Sequence, residues 1–441
     1  VPSRADRRNN GNEPGPACAK DGTPTGGPSR LRVRTAVGGS CGREDFLPRA
    51  ADEEPRMKVA HVTLRFDAPG GVETTVRETV RRLREAGDDV TVFASDLFDE
   101  SGWVRRTDFP PSVDGVPVRR FPVVKRPVPH LTLPMMSGLV DALAEYRPTV
   151  VHAHSHRYGH VLQAAAVADR EGLPLVISTH YHPADRRETF VKRGLLRCED
   201  VAFGAMAYRH AAALVVESEM EARLVREFAP ADTIRIIPPG INLSEWGNPE
   251  EDRAAAPSLP ADYLVFVGRV ASNKGLPLLL DAWASLPAAL RPALVVMGRD
   301  WGERAALEGA ARSLGVDREI HWLGHVGDSR AYRAVIRGAR ALVLPSEWEA
   351  YGLVLLDAMA AGTPVVATAV GAVPEVLEGG RAGRLVPYGD AGALTSAIRA
   401  VLRDGETTRQ LVAAGRERVR ALDWSVAALK HRALYAELTG A

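Results

Sequence analysis

Two basic residues stand beside glycines in the second half of the chain, where they could hold an anion. Gly268 and Arg269 follow the apolar run 263–267, and Lys274 and Gly275 come shortly afterwards, before a helical pattern. Cations at the carboxyl end of a strand, next to backbone that glycine leaves open, suit a diphosphate. The competing interpretation is a pair of solvated surface cations, the usual situation of Arg and Lys. We predict that Arg269 and Lys274 bind a diphosphate.

A second chemical pattern lies in the segment 345–364, which combines two acids with a glycine turn before a helix. Glu349 falls in the turn, where its carboxylate can accept hydrogen bonds from ligand hydroxyls. Asp357 lies more than one turn into the helix, so it is either functional or on the solvated face. An anion is favoured by the unpaired N–H groups of the first helical turn, which belong to Gly352, Leu353 and Val354.

The first half of the chain offers a weaker glycine turn and a group of histidines. Gly70 and Gly71 follow a strand pattern and open a helix, as in turns that approach a phosphate or a sugar. A plain strand-to-helix turn has the same composition, so the pattern alone decides little. The alternating residues His152, His154 and His156 leave a strand and share one face while the chain stays extended.

Short apolar runs alternate with helical stretches, which predicts parallel sheets with helices on both faces. In the first half, the predicted strands are residues 59–64, 89–94, 149–153, 175–178, 213–216 and 233–237. In the second half, they are residues 263–267, 293–297, 319–323, 341–344 and 364–367. Because a polar, proline-containing stretch separates the two series, we predict two α/β domains with a ligand cleft at the carboxyl ends of their strands.

Length and composition limit the possible partners. The chain has 441 residues, 45% of them hydrophobic and 25% charged, and its formal net charge of +1 argues against nucleic acid as a partner. The scattered cysteines Cys18, Cys41 and Cys198 suit a protein of the cytoplasm. The Pro- and Gly-rich residues 1–56 predict either a disordered tail or sequence upstream of a true start at Met57.

The segment that contains Glu349 and Asp357 resembles the donor site of the retaining family 4 (group 1) glycosyltransferases, which have the GT-B fold. That family carries a Glu, seven residues, a second Glu, and then Ala-Met-Ala and Gly-Thr-Pro-Val-Val. The resemblance runs from about Met57 to the C-terminus and includes Gly70-Gly71-Val72-Glu73, Pro238-Pro239-Gly240-Ile241-Asn242, the pair Arg269 and Lys274, and Asp423-Trp424-Ser425. One departure is Asp357, which stands where the family has Glu and reaches one methylene less far.

The resemblance implies two Rossmann-like, doubly wound domains that face each other across a cleft. The expected plan is an acceptor-side domain 57–240, a linker 241–262, a nucleotide-sugar-binding domain 263–422 and a C-terminal helix 423–441 that crosses back to the first domain. It further implies transfer of a hexosyl unit, such as mannosyl, from a GDP-sugar or a UDP-sugar. Retention of configuration is expected, without a cofactor.

The same resemblance assigns roles to residues. Arg269 and Lys274 would neutralise the diphosphate, and Glu349 would hold hydroxyls of the donor sugar. Asp357 would bind the ribose, and His154 would point at the donor sugar. The donor site would also include Gly70, Gly71, Gly352, Leu353 and Val354. The sequence contains no Asp-x-Asp pair, the metal-holding device of the other large glycosyltransferase fold, so we expect metal-independent transfer.

Several alternatives stay open at this stage. One is a sugar-nucleotide epimerase or phosphorylase on the same fold, another is a binding module without turnover, and a third is a metal-dependent hydrolase that uses the His152 and His154 strand. The acceptor, which could be a glycolipid, a polysaccharide or a small metabolite, is not indicated. The basic and apolar stretch 186–210 fits either a core-packing helix or a peripheral contact with the inner face of a membrane. His180 is a second candidate among the histidines, for a position near the acceptor.

Overall fold

The computed structural model describes residues 56–68, 70–99, 103–128, 131–184 and 189–440. The predicted tail, residues 1–56, lies outside this description apart from Arg56, and so do Cys18 and Cys41. In the described part of the chain, two large sheets of mainly parallel strands are each flanked by helices. The predicted doubly wound α/β architecture is therefore confirmed.

The first half of the chain supplies one sheet and two small hairpins. Its strands are β1 (Lys58–Thr63), β2 (Asp89–Ser95), β3 (Leu97–Asp99), β4 (Val104–Arg105), β5 (Ser112–Val113), β6 (Val116–Phe121), β7 (Val123–Val128), β8 (Leu131–Met136), β9 (Val150–His154), β10 (Leu175–Ser178), β11 (Ala213–Val216) and β12 (Ile234–Ile236). The sheet has the order β12-β11-β10-β9-β1-β2-β6-β5, parallel except for β5 against β6. The pairs β3–β4 and β7–β8 are antiparallel and separate from it.

The helices of this half are α1 (Gly71–Glu85), α2 (Leu139–Tyr146), α3 (Gly159–Glu171), α4 (Phe190–Ala207) and α5 (Glu219–Val225). Helix α1 shows why they form: Val76, Val80 and Leu83 recur at helical spacing and are buried, while arginines occupy its last turn. Strand β9 is buried along its whole length because helices cover both faces of the sheet.

The second half of the chain forms the other sheet. Its strands are β13 (Tyr263–Val267), β14 (Ala293–Met297), β15 (Ile320–Gly324), β16 (Ala341–Leu344), β17 (Val365–Thr368) and β18 (Arg384–Val386), all parallel in the order β15-β14-β13-β16-β17-β18. Its helices are α6 (Pro249–Ala254), α7 (Leu276–Ala284), α8 (Arg304–Leu314), α9 (Ser329–Gly338), α10 (Leu353–Ala361), α11 (Val373–Val376), α12 (Ala391–Arg403), α13 (Gly405–Arg420) and α14 (Trp424–Thr439). Among the described residues, no helix is both long enough and apolar enough to cross a bilayer.

The chain passes between the two sheets at two places that lie side by side. The N–H of Ile241 donates to the carbonyl of Leu422 at 2.7 Å, and the N–H of Trp424 donates to the carbonyl of Ile241 at 3.2 Å. A Cβ added to Gly240 would lie 2.5 Å from the nitrogen of Trp424, so only glycine allows this approach. Helix α14 then packs on the first sheet, where Trp424 and Tyr435 join its core.

The predicted linker, residues 241–262, contains secondary structure of its own. Residues Leu243–Trp246 form a 3-10 turn, and α6 follows it. Asp252 of α6 is buried and accepts hydrogen bonds from Arg333 at 2.9 Å and Arg337 at 3.1 Å. These two arginines of α9 fix the segment to the second sheet's domain.

Candidate active site

A cavity of about 1010 Å³ opens at the carboxyl ends of strands from both sheets. Its walls include the segments after β13, β14, β15 and β16 of the second sheet, and the segments after β1 and β10 of the first sheet. This is the position where open α/β sheets bind ligands. The predicted site residues that line it are Gly70, Gly71, Arg269, Lys274, Glu349, Gly352, Leu353, Val354 and Asp357.

Arg269 is positioned by an aromatic neighbour on the next loop. Its guanidinium carbon lies 4.5 Å from the ring centroid of Trp301, and both residues line the cavity. The N–H of Trp301 donates to the carbonyl of Val270 at 2.9 Å, which ties the two loops together. Gly298 makes this possible, because a Cβ there would fall 1.7 Å from the carbonyl oxygen of Gly268. The ring of Trp301 thus holds the cation at the wall of the cavity.

Lys274 and Glu349 form an ion pair inside the cavity. The Nζ atom of Lys274 lies 2.6 Å from Oε1 of Glu349, and the hydroxyl of Ser346 donates to the same oxygen at 2.6 Å. Glu349 is 9% exposed, so this is a desolvated pair and stronger than one at the surface. The second oxygen, Oε2, leaves the carboxylate with capacity to accept hydrogen bonds from a ligand.

The backbone around Glu349 is closely packed against two glycine turns. A Cβ at Gly275 would fall 2.0 Å from the carbonyl oxygen of Pro345, and one at Gly371 would fall 1.8 Å from that of Glu349. Both glycines have positive φ, 66° and 53°. The turn that carries Glu349 is therefore held from both sides, which fixes its carboxylate relative to Lys274.

Helix α10 directs its N-terminus into the cavity. Gly352 precedes it with φ 86°, a left-handed conformation that glycine adopts without strain. The residues Gly352, Leu353 and Val354 line the cavity, so their backbone places the positive end of the helix dipole there. Asp357 lies one turn further along α10 and accepts a hydrogen bond from the hydroxyl of Tyr332 at 2.7 Å.

The first sheet contributes a second helix N-terminus. Gly70 precedes α1 and Gly71 begins it, and both line the cavity together with α10. An added Cβ on Gly71 would meet nothing within 4 Å, so the glycine leaves open space. Glu73 in the first turn is buried and pairs with Arg65 at 2.6 Å, which holds another arginine at the cavity wall.

His154 does not line this cavity. It ends β9 at 2% exposure, with its Nε2 atom 3.0 Å from Nδ1 of His61 and its Nδ1 atom 3.4 Å from Nε2 of His180. His180 in turn reaches Glu217 at 3.0 Å. A role of His154 at the donor sugar stays a prediction. The structure places a different histidine, His182, at the cavity, where its ring lies 6.0 Å from that of Trp348.

Burial favours the neutral form of most of these histidines, and His180 is the exception. Burial lowers the pKa of His61 to about 3, with a smaller contribution from the charge of His431, and burial lowers the pKa of His154 well below its ordinary value. For His180, burial opposes the charged form, but the hydrogen bond and charge of Glu217 outweigh it and raise the pKa. The charged form of His180, which Glu217 favours, donates from both ring nitrogens, and the neutral ring of His154 then accepts at Nδ1.

These histidines also bear on the metal-dependent alternative. Within the described residues, His61, His152 and His154 have ligand nitrogens within 4.8 Å of one another. However, His152 already bonds Tyr435 at 2.6 Å and Ser178 at 2.8 Å, and all three rings are at most 2% exposed. A hydrolytic metal needs an open position for water, and these buried rings offer no path for it. The group fits a packing role between β1, β9 and α14 better than a catalytic metal site.

Some residues of the cavity were not found from the sequence. Trp301, Tyr332, Arg299 and His182 line it, but each lies in a loop or helix turn without a local pattern. A signal existed for Trp301 alone, because a tryptophan directly after the Gly298-Arg299-Asp300 turn at a strand end is unusual for an exposed position. The others become recognisable only when the loops meet in space.

Comparison with known proteins agrees with this geometry. The family described as Glycosyltransferase Family 4 matches residues 69–245, and the family described as Glycosyl transferases group 1 matches residues 248–418. The phosphatidyl-myo-inositol mannosyltransferase of Mycobacterium leprae is 31% identical over 394 residues, 84% of this chain and 94% of the relative. The D-inositol 3-phosphate glycosyltransferase 1 of Catenulispora acidiphila is 31% identical over 396 residues, 83% and 90% of the two chains.

A solved structure shows the same fold. Anabaena HepE, in complex with UDP and glucose, superposes with a TM-score of 0.70 at 18% identity and covers 87% of this chain and 100% of its own. This likeness extends over both α/β domains of the described chain. The chain belongs to the group 1 glycosyltransferases of family 4 and is a glycosyltransferase with the GT-B fold.

Proposed function

We propose that this enzyme transfers a hexosyl unit from a nucleoside diphosphate sugar, with a GDP- or UDP-linked hexose as donor. The observation that carries the proposal is the convergence of Arg269, Lys274, Glu349 and the N-terminus of α10 on one cavity. Two cations and a helix N-terminus suit a diphosphate, and a carboxylate with a free oxygen suits sugar hydroxyls. HepE, which shares the fold, was solved with UDP bound, and this supports a nucleoside diphosphate as the leaving group.

The proposed reaction uses charge stabilisation more than acid–base groups. The bond between the anomeric carbon and the phosphate oxygen breaks, and its electron pair stays on the diphosphate beside Arg269 and Lys274. The acceptor hydroxyl attacks from the same face, and its proton passes to a phosphate oxygen. The configuration at the anomeric carbon is thereby retained, and the two side-chain cations take the part that a metal ion takes elsewhere.

The state of the cavity carboxylates supports transfer without a covalent intermediate. Each acid that lines the cavity has a partner within the protein: Glu78 with Arg82, Glu245 with Asn242, Asp300 with the N–H of Gly302, Glu349 with Lys274, and Asp357 with Tyr332. Ion pairs and hydrogen bonds of this kind lower the nucleophilicity of a carboxylate, so they disfavour covalent attack on the anomeric carbon. We therefore assign the nucleophile's role to the acceptor hydroxyl itself.

For the acceptor, we propose a polyol that carries a phosphate. The names of the two relatives refer to a phosphatidylinositol and to an inositol phosphate. On the first-sheet side, the cavity is lined by Arg65, which precedes α1 and pairs with Glu73, and by Arg77 in the second turn of α1. Arginines next to a helix N-terminus favour a phosphate, so both classes of inositol acceptor fit this wall.

Helix α4 supports a peripheral contact with an anionic membrane. Phe190 and Val191 are 83% and 70% exposed at its first turn, and the basic residues Lys192 and Arg193 follow them directly in the sequence. The middle of the helix is anchored, because Asp200 is buried and accepts hydrogen bonds from His156 at 2.8 Å and Tyr181 at 2.9 Å. A fixed helix that presents apolar and basic side chains together is typical of an interfacial surface.

The membrane contact is tested by sedimentation with vesicles. We expect the protein to pellet with vesicles of phosphatidylcholine and phosphatidylglycerol, more weakly at high salt, and not with phosphatidylcholine alone. The variant Phe190→Ser/Val191→Ser should stay in the supernatant, whereas Leu429→Ser, which removes a 63% exposed residue of α14, should behave as the wild type. Equal vesicle binding by both variants would contradict a membrane contact through Phe190 and Val191.

The proposed reaction is tested with a panel of GDP- and UDP-sugars, in the presence of myo-inositol phosphates and of phosphatidylinositol vesicles. The expected result is release of a nucleoside diphosphate from one donor, undiminished by EDTA, together with an α-linked product from an α-linked donor. A C2-epimerised sugar instead of a glycoside would identify an epimerase. Strict dependence on a divalent metal ion would contradict the mechanism.

A further inference from the structure

Asp357 is the position where this chain departs from the two-acid pattern, and the structure places a tyrosine against it. Asp357 lies on α10 and Tyr332 on the first turn of α9, and both line the cavity. The hydroxyl of Tyr332 donates to Oδ2 of Asp357 at 2.7 Å. The two polar groups therefore reach the cavity together as one hydrogen-bonded pair.

The pair keeps acceptor capacity on both members. A carboxylate can accept about four hydrogen bonds, and a phenol oxygen that donates its proton can still accept. Asp357 alone reaches one methylene less than a glutamate, but the oxygen of Tyr332 adds a second acceptor beside it. Two adjacent acceptors match two adjacent hydroxyl donors.

Their place along α10 agrees with the contact to the ribose hydroxyls that the resemblance implies for Asp357. The N-terminus of α10 receives the diphosphate in the proposed function, and Asp357 lies four residues beyond Leu353. At 1.5 Å per residue, the carboxylate is about 6 Å further along the helix. In a nucleoside diphosphate the next polar groups after the phosphates are the vicinal hydroxyls of the ribose.

We propose that Tyr332 is a specificity-determining residue of the donor site, and that it binds the vicinal ribose hydroxyls jointly with Asp357. This inference rests on the proposed function, because it requires a nucleoside diphosphate in the cavity. Tyr332 supplies the acceptor that the shorter acid does not reach. It also orients Asp357 and stabilises its charged form.

The charge of Asp357 adds a second readout. Burial raises the pKa of Asp357 to about 7, the hydrogen bond from Tyr332 opposes this rise, and the charge of Glu245 adds to it. Glu245 itself lies 3.4 Å from Arg333 and bonds Asn242. Since the carboxylate accepts two hydroxyls better than the neutral acid does, nucleotide affinity should fall as the pH drops through 7. Removing the Tyr332 hydroxyl should move that fall to higher pH.

The test is calorimetric titration of the full chain with UDP and GDP and with their 2′,3′-dideoxy analogues between pH 6 and 9. For the nucleotide that binds, the wild type should prefer the ribose form, and Tyr332→Phe should weaken that form about three- to tenfold, as loss of one hydrogen bond does, while leaving the dideoxy form unchanged. The pH at which nucleotide binding by Tyr332→Phe is half lost should be higher than the corresponding pH of the wild type. The double variant Tyr332→Phe/Asp357→Glu should recover the preference, because the longer acid regains the reach.

A matched control separates this role from a structural one. Tyr263→Phe removes another buried tyrosine hydroxyl, which lies outside the cavity and donates to the carbonyl of Val335 at 2.8 Å. This variant should leave both the ribose preference and the pH midpoint of nucleotide binding unchanged. Binding of the nucleotide with an unaltered ribose preference in Tyr332→Phe would overturn the inference alone. If the wild type binds neither UDP nor GDP, the inference and the proposed donor site both fail.

Discussion

At the scale of single residues, the candidate active site contains charged groups that each contact a neighbouring side chain. Arg269 lies against the ring of Trp301, Lys274 pairs with Glu349, and Asp357 accepts from Tyr332. The sequence predicted the charged member of each pair, because acids and bases beside glycines carry a recognisable chemistry. It did not predict Trp301 or Tyr332, whose contacts depend on loops that are distant in sequence.

The contact between Arg269 and Trp301 makes a prediction at this scale. Trp301→Ala frees the guanidinium, and loss of an exposed cation–π contact of roughly 0.5–1 kcal/mol should weaken nucleoside diphosphate binding about two- to fivefold. The Kd from calorimetry measures this. The Kd of Trp301→Phe, which keeps an aromatic face, should lie between those of the wild type and of Trp301→Ala. A wild-type Kd in Trp301→Ala would show that the ring does not position Arg269.

At the scale of elements, glycines at strand ends bring the functional loops together. The fully buried strands β13 and β16 were predictable, because burial on both sheet faces leaves a continuous apolar run. The helical period of α1 was predictable as well. The strands between residues 97 and 136 were missed. Three of them, β3 to β5, have only two or three residues, and β7 and β8 pair with each other outside the main sheet. The helix α6 within the predicted linker was missed because its partners, Arg333 and Arg337, lie about eighty residues away.

The packing of the segment after β17 on Glu349 predicts the effect of a single methyl group. In Gly371→Ala, the new Cβ would meet the carbonyl of Glu349 at 1.8 Å, so the turn must move and the carboxylate with it. We expect at least a tenfold loss in kcat/KM for the donor, since displacements of about 1 Å have such effects. Gly389→Ala is the matched control, because it also has positive φ but meets nothing within 4 Å. Equal activity of both variants would contradict the proposed packing.

At the scale of the whole molecule, helix α14 joins the two ends of the described chain. It contacts α1 and the first sheet, and Tyr435 bonds His152 inside a group of buried histidines. The resemblance implied that this helix returns to the first domain, but the periodicity of β9 could not show which side its histidines face. That depends on the packing of α14, a contact across 283 residues.

This group of histidines makes folding sensitive to acid. Burial lowers the pKa of His61 to about 3 and that of His160 and His431 to about 4, whereas the unfolded value is near 6.5. The unfolded chain therefore binds more protons, so the stability present above pH 6.5 is lost as the pH falls toward 4. His180 and Asp357, whose pKa values are raised, oppose this in part.

The expected result is a melting temperature that falls steadily between pH 6.5 and 4.5, measured by differential scanning calorimetry. His431→Gln removes one of the titrating groups and should make the fall shallower, because one fewer proton is taken up on unfolding. A melting temperature that is constant across this range would show that the histidines are not held neutral in the folded protein.

Metal-independent stabilisation of the leaving diphosphate by Lys274 is tested most directly by nucleoside diphosphate release in the presence of EDTA, with the donor that the wild type uses. We predict that the wild type remains active without a divalent metal ion, and that Lys274→Met loses about 10²- to 10³-fold in kcat, as removal of one charge-stabilising group does. Lys430→Met, which removes an exposed lysine of α14, should match the wild type. Full activity in Lys274→Met, or no release from any donor without metal, would contradict this mechanism.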